Sequence, residues 1–218
     1  MMSGDGRHFI VIEGPIGVGK TSLASRLAET YGCDALLEAA EENPFLERFY
    51  QEPDAAAFAT QMHFLVQRSR QLDQLQQQRL FSTRLVADFL FSKDRLFAEL
   101  NLGSDELRLY NAVYARLAMH APRPDLVVYL EAPVEVLMAR VRKRARPQEQ
   151  TLSSDYLQRV SDAYKAFFYR YDDAPVLIID AASINPLDSD ADYRAVLDAL
   201  GQPFVGRRYF NPLPLAIN

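Results

Sequence analysis

Cysteine is nearly absent from this chain: Cys33 is the one example in 218 residues. A lone thiol excludes an internal disulfide framework and a thiolate metal site, and points weakly to a reducing compartment. Histidine is almost as scarce. His8, His63 and His120 are too scattered to suggest a metal cluster, so all three read as structural. Positive charge is in deficit as well, with 24 Lys and Arg against 29 Asp and Glu and a net charge of −5. That balance argues against general binding to nucleic acid or to an anionic membrane, so any phosphate recognition has to be local. No run approaches the roughly 18 apolar residues of a membrane span. The opening MMSGDGRHF also lacks the apolar core of a secretory leader. The expectation is a soluble, cytoplasmic protein without nucleic-acid or membrane partners.

What is present is ordinary globular material, 49% apolar and 24% charged. The length suits a single domain over residues 1–218 that buries its core without staples, with irregular tails at 1–7 and from about 206 onward. HFIVIEG reads as a short buried strand closed by glycine. TSLASRLAETYG follows as a helix ending on Gly32, and DALLE, from Asp34 to Glu38, as a second strand. Asn43 before Pro44 suits the start of a helix over PFLERFY. A long helix is expected from about Ala55 to Gln78, because Phe58, Met62, Leu65, Leu72 and Leu75 recur at helical steps. RLVADFLF, DLVVYLEAP and PVLIID supply three more buried strands. Helical patterns separate them, including one from Val134 to Arg144 and another capped by Ser153 or Ser154. Alternating strands and helices predict an α/β fold, a mostly parallel five-stranded sheet with helices on both faces.

The strongest motif is GPIGVGKT, spanning Gly14, Pro15, Ile16, Gly17, Val18, Gly19, Lys20 and Thr21. It satisfies the P-loop pattern G-x-x-x-x-G-K-[ST] and sits between a predicted strand and a predicted helix, as that pattern requires. Such a loop turns its N–H groups onto phosphate oxygens at a helix N-terminus. Lys20 then reaches the β- and γ-phosphates, and the Thr21 hydroxyl is placed for Mg²⁺. Open parallel sheets bind ligands at the carboxyl ends of their strands. Glu38 and Asp88 fall there beside the P-loop. One carboxylate can accept a proton from an alcohol that attacks phosphorus, and the other can hold a metal.

Three stretches, LLEAAEENPFLERFYQEP, FATQMHFLVQRSRQL and VADFLFSKDRLFA, follow one another in this chain. In order and spacing they resemble the deoxynucleoside kinase family, especially its bacterial deoxyadenosine and deoxyguanosine kinases, and the likeness runs from about His8 to Asp180. The resemblance implies a P-loop kinase fold and transfer of the ATP γ-phosphate to the 5′-hydroxyl of a deoxynucleoside. It also implies Mg²⁺ and a homodimer. By position it makes Glu38 the general base and places Tyr50 at the sugar 3′-hydroxyl. Gln61, Arg68 and Asp94 fall at the base, with Phe97 stacking on it. Gln61 and Arg68 are seven residues apart, nearly two turns, so they share one helix face at roughly 10 Å separation, with Phe64 between them. Asp88 matches the acid of the family's Glu/Asp-Arg-Ser motif. Phe89 and Leu90 replace the Arg and Ser that follow it, which leaves open which group supplies positive charge there.

The segment MARVRKRARPQEQ concentrates arginine in an acidic protein. Arg140 and Arg144 share a helix face, and Pro147 ends that helix next to Arg146. The resemblance makes this segment a lid, with Arg140, Arg144 and Arg146 closing on the phosphates and Glu149 reaching the sugar. Phe167, Phe168, Tyr169 and Tyr171 read as core packing or a subunit contact. Two rival activities remain: a nucleoside monophosphate kinase of the thymidylate type, and a P-loop module that binds nucleotide without catalysis. The preferred base is also open, with a purine favoured.

Overall fold

A computed structural model describes residues 7–78 and 84–210. The chain runs β1 (Phe9–Glu13), α1 (Lys20–Tyr31), β2 (Asp34–Leu36), α2 (Leu46–Gln51), α3 (Pro53–Gln78), β3 (Leu85–Ala87), α4 (Asp94–Asn101) and α5 (Ser104–Leu117). It continues through β4 (Leu126–Glu131), α6 (Val134–Arg144), α7 (Ser154–Arg170), β5 (Val176–Asp180), α8 (Asp190–Gly201) and β6 (Arg207–Phe210). The strands form one six-stranded sheet in the order β2-β3-β1-β4-β5-β6, and every neighbouring pair is parallel.

The central strands are apolar on both sides because helices cover both faces. Alternate residues of β1 divide between two cores. Ile10 and Ile12 pack with Leu23 and Leu27 of α1, Leu137 of α6 and Val196 of α8. Phe9 and Val11 pack with Leu96 of α4 and with Val160, Tyr164 and Phe168 of α7. A third cluster joins Leu65 and Leu72 of α3 to Tyr110 of α5 through Phe89 and Phe91. The side chain of Leu75, also expected on that apolar face, lies outside the described residues, as do the tails at 1–6 and 211–218.

Parallel registry brings the functional segments to one end. Val11 and Leu36 both align with Ala87. Glu13 and the loop after it, Glu38, and Asp88 therefore leave three adjacent strands at the same level.

Several boundaries differ from the expected ones. The second strand stops at Leu36, so Glu38 lies beyond it on the loop. Asn43 does not cap a helix beginning at Pro44. Its Oδ1 accepts from the Phe45 N–H at 3.0 Å in a turn, its Nδ2 donates to the Thr60 carbonyl at 3.1 Å, and α2 begins only at Leu46. The long helix starts at Pro53, where proline's missing N–H loses no helical bond. The sheet has six strands, not five: residues 207–210, expected in an irregular tail, pair with β5. Their RRYF sequence alternates exposed and half-buried residues, so it carries no continuous apolar run to announce a strand. Helix α8 was also not anticipated, although Ser189 accepts from Asp192 N–H as a regular N-cap.

Ser153 caps α7 by accepting from the Tyr156 N–H. Ser153→Ala is expected to lower unfolding free energy by about 1 kcal/mol. Urea unfolding checks it, with a shifted midpoint and an unchanged slope.

Candidate active site

The glycine-rich loop between β1 and α1 is shaped by close contacts. Gly14 has φ 151°, and a Cβ there would lie 2.2 Å from the Leu130 carbonyl oxygen of β4. At Gly17, φ 85°, it would lie 2.8 Å from the Leu137 carbonyl oxygen of α6. Only residues without a side chain permit that fit. Lys20 folds back over the loop and donates to the carbonyls of Gly14 at 2.8 Å and Pro15 at 3.3 Å. Burial lowers its pKa, against the opposing pull of Glu13.

One cavity opens at the carboxyl ends of β1, β2 and β3. Ile16, Gly17, Lys20 and Thr21 line it on the loop side, with Glu38 and Asp88 beside them. Tyr50, Gln61, Phe64, Arg68 and Phe97 line it further in, and Arg144, Arg146 and Glu149 reach it from the segment after α6. Fourteen residues expected in the site, counting Phe64, thus meet in one cavity. Asp94 and Arg140 do not line it. Asp94 is fully buried behind Arg68, and Arg140 lies on the far side of the loop, donating to the carbonyls of Val18 at 3.2 Å and Ala181 at 2.7 Å. Arg140 instead lines a second hollow with Val18, Gly19 and Ser22, which Gly17 and Arg144 also border.

Arg68 is the hub. Its Nε donates to Glu38 Oε1 at 2.7 Å, its Nη2 donates to the same oxygen, and its Nη1 donates to Asp94 Oδ1 at 2.6 Å. The Arg68–Asp94 pair therefore does not offer a free donor fork to the cavity, because the guanidinium is committed to two carboxylates. Burial alone would raise the Glu38 pKa, but the charges of Arg68, Lys93 and Lys20 outweigh it and hold the carboxyl down at about 2. Asp94 goes the other way. It receives one Arg68 donor, its Oδ2 makes no hydrogen bond among the described residues, and burial raises its pKa. Phe64 packs under the guanidinium with its ring centre 5.0 Å away.

Asp88 follows β3 directly. Its Oδ2 accepts from the Thr21 hydroxyl at 2.5 Å and its Oδ1 from the Glu38 N–H at 2.6 Å. Burial raises its pKa against those two hydrogen bonds. Backbone and Thr21 contacts thus orient Asp88 without help from Phe89, which is 2% exposed and turned into the third core cluster. Tyr50 meets Tyr156 edge-on at 6.3 Å, and burial raises the pKa of its phenol, keeping it a neutral donor.

In the segment after α6, Ala145 takes a left-handed conformation with φ 52°, and Pro147–Glu149 forms a short 3-10 turn. Arg144 grips Glu149 through both carboxylate oxygens, with Nη2 at 2.5 and 2.6 Å. Arg146 lies 3.8 Å from Glu41. His63 stacks edge-on with Phe45, and Cys33 is half-buried with its thiol pKa pushed up by burial, which suits the structural reading of both. The backbone of His8 pairs with Asp125, while the side chain of His120 lies outside the described residues. Phe168 and Tyr171 are core residues, but Tyr169 is exposed.

The family model for deoxynucleoside kinases matches residues 10–205. The chain belongs to that family. Its members transfer phosphate to an alcohol acceptor. Deoxyguanosine kinase from Bacillus subtilis (strain 168) is 32% identical over 193 residues, covering 86% of this chain and 93% of that protein. Deoxyadenosine kinase from Lactobacillus acidophilus is 29% identical over 190 residues, covering 81% and 86%. The structure of deoxyadenosine kinase from M. mycoides with bound dATP has the same fold. Its TM-score is 0.76 at 24% identity, over 89% of this chain and all of that one. Membership in a kinase family with alcohol acceptors removes the rival of a noncatalytic nucleotide module.

Lys93, Tyr156 and Tyr164 also line the cavity, Glu13 is buried against Lys93 and Tyr164, and none of the four was singled out from the sequence. Glu13 had a visible signal: a carboxylate closing an otherwise apolar buried strand, immediately before the P-loop.

Two outcomes test the Arg68 hub. Arg68→Met leaves Glu38 and Asp94 unpaired and should lower stability by about 3–5 kcal/mol, read from denaturant unfolding. Because the folded pKa of Glu38 is depressed, its contribution is present above its unfolded value near 4.3 and is lost as pH falls toward about 2. Unfolding midpoints of the parent and Glu38→Gln forms should therefore converge between about pH 4 and pH 2.

Proposed function

We propose that this member of the family transfers the γ-phosphoryl group of ATP to the 5′-hydroxyl of a purine deoxynucleoside. The observation that carries the reading is that Lys20 of the P-loop and the ionised Glu38 line one cavity with Gln61, Phe64 and Arg68. A phosphate-binding end, a proton acceptor and a pocket for a flat heterocycle thus follow one another along it. The names of the relatives, deoxyguanosine and deoxyadenosine kinases, support a purine.

In this reading the nucleoside lies with its base between Phe64 and Phe97. Gln61 supplies donor and acceptor to the base edge, and Arg68 stands behind it, backed by Asp94. Tyr50 and Glu149 take the sugar 3′-hydroxyl, which sets the 5′-hydroxyl near Glu38. The 5′-oxygen bonds to the γ-phosphorus as the bond from that phosphorus to the β-bridging oxygen breaks, and ADP leaves. Glu38 accepts the hydroxyl proton. A carboxylate with a pKa of about 2 is a weak base, so it orients the alcohol first and takes the proton late, once bonding to phosphorus has made the hydroxyl acidic. Loop N–H groups from Gly14 to Thr21 cradle the phosphates. Arg144 stabilises charge on the phosphoryl group, with Arg146 closing after it, and Arg140 joins them only by releasing the Val18 and Ala181 carbonyls. Arg144 must first exchange Glu149 for phosphate, which frees Glu149 for the sugar.

Thr21 and Asp88 fit Mg²⁺. They place a hydroxyl and a carboxylate side by side, hard oxygen donors of the kind that ion takes alongside triphosphate and water. When bound, it supplies charge neutralisation on the β- and γ-phosphates. We place the enzyme in the cytoplasm, and the family resemblance implies a homodimer; no described helix is long and apolar enough to cross a membrane. Exposed Leu109 and Met119, on and just after α5, support a helical contact between copies.

ADP release should require Mg²⁺ and a deoxynucleoside, with deoxyguanosine or deoxyadenosine preferred in a panel of four, and a 5′-monophosphate should not serve. Glu38→Gln should lower kcat by roughly 10²–10⁴-fold while ATP affinity is retained. Near-normal turnover in that variant would remove Glu38 from its role.

A further inference from the structure

Lys93 is the least expected cation in the molecule. It ends the short turn Phe91–Lys93 between β3 and α4 and is 2% exposed, yet it lines the same cavity as Lys20, Thr21, Glu38 and Asp88. A buried ammonium is strongly disfavoured unless something compensates it. Its partner is Glu13, itself without solvent exposure, at Nζ–Oε1 3.3 Å.

That pairing is loose, and Glu13 has other donors. Its Oε1 accepts from the Leu90 N–H at 2.8 Å, and its Oε2 accepts from the Gly14 N–H at 3.0 Å and the Tyr164 hydroxyl at 2.9 Å. Charge-assisted contacts between ammonium and carboxylate usually close to about 2.7–2.9 Å. Here the neutral donors sit nearer than the cation. An ammonium carries three N–H donors, so Lys93 retains hydrogen-bonding capacity toward the cavity it lines. The ring of Phe97 stands 5.2 Å from Nζ and bounds it on another side. The charge of Lys93 is felt at the centre, since it helps to lower both the Glu38 and the Lys20 pKa.

The neighbouring side chains offer no substitute. Phe89, at the position where the family pattern has arginine, points into the core, and Arg68 is committed to Glu38 and Asp94. We propose that Lys93 is a second catalytic lysine of the phosphoryl-transfer centre. Glu13 holds it so that its ammonium donates to oxygen of the transferring γ-phosphoryl group at its acceptor end. Lys20 serves the same group from the P-loop. The proposal rests on the kinase reading above. Lys93 makes and breaks no bond. It stabilises the charge that develops while the 5′-oxygen attacks, and it retains its own proton throughout.

The test separates this role from mere neutralisation of Glu13. Lys93→Met, Lys93→Arg and the double variant Glu13→Gln/Lys93→Met are assayed with ATP, Mg²⁺ and the preferred deoxynucleoside, alongside ATP affinity by calorimetry and thermal unfolding. Lys93→Met should lose roughly 10²–10³-fold in kcat, with nucleoside KM and ATP affinity within about threefold. Lys93→Arg should recover part of the loss. The double variant, which contains no unpaired charge, should unfold near the parent temperature and remain as slow as Lys93→Met. Recovery of turnover in the double variant to within about fivefold of the parent would overturn the proposal. So would near-normal turnover in Lys93→Met, or failure of both Met-containing variants to fold, because each makes Lys93 a structural counter-ion. A parent protein that releases no ADP with any deoxynucleoside defeats the kinase reading instead, and the two failures are distinct.

Discussion

A carboxyl group shut away from water must find its hydrogen bonds inside the protein, and Glu13 organises the site through that requirement. Its donors are the N–H of Gly14, at the start of the P-loop, the N–H of Leu90, after β3, and the hydroxyl of Tyr164, on α7. Three segments far apart in sequence are thereby tied to the end of one strand. The loop, the Asp88 segment and the wall formed by α7 take their relative positions from this point. Lys93 joins the same group on its cavity side.

A second network begins one shell outward, where Arg68 bridges Glu38 and Asp94. Its consequence is coupling along the cavity. In the proposed binding mode, the cation at the heterocycle end also sets the charge state of the carboxylate at the phosphoryl end. A ligand that shifts the guanidinium changes how firmly Glu38 is held and how it accepts a hydrogen bond. The arginine segment after α6 adds an exchangeable element. Arg144 and Glu149 satisfy each other in the structure, so the proposed contacts with a phosphate and a sugar hydroxyl require each to leave the other.

The overall charge of −5 conceals this local pattern. Lys20, Arg68, Lys93, Arg144 and Arg146 line one cavity with Glu38, Asp88 and Glu149. Long-range attraction of polyanions is weak for such a protein, while short-range fields within a partly enclosed cavity are strong. A small polyphosphate can be held there by geometry without making the surface generally basic.

Much of this was legible in the order of residues. Apolar runs such as FIVIE and LVVYLE mark buried parallel strands because strands covered on both faces have no polar side. GPIGVGKT marks its loop because Gly14 and Gly17 occupy positions where a Cβ would strike carbonyl oxygens. The seven-residue step from Gln61 to Arg68 was enough to put both on one wall of the cavity, since helical geometry is local. The edge strand at 207–210 was hidden because its paired arginines and lack of an apolar run resemble a solvated tail until β5 is seen beside it. Arg68's commitment to two carboxylates, the withdrawal of Asp94 and Arg140 from the cavity, and the meeting of Glu13 with Lys93 were hidden for another reason. Each is a contact between residues 26 to 122 positions apart, or a pair 80 apart. Local pattern sets which face of an element a residue occupies. The partner across from it depends on how whole elements pack, and that is where the charges of this site acquire their states.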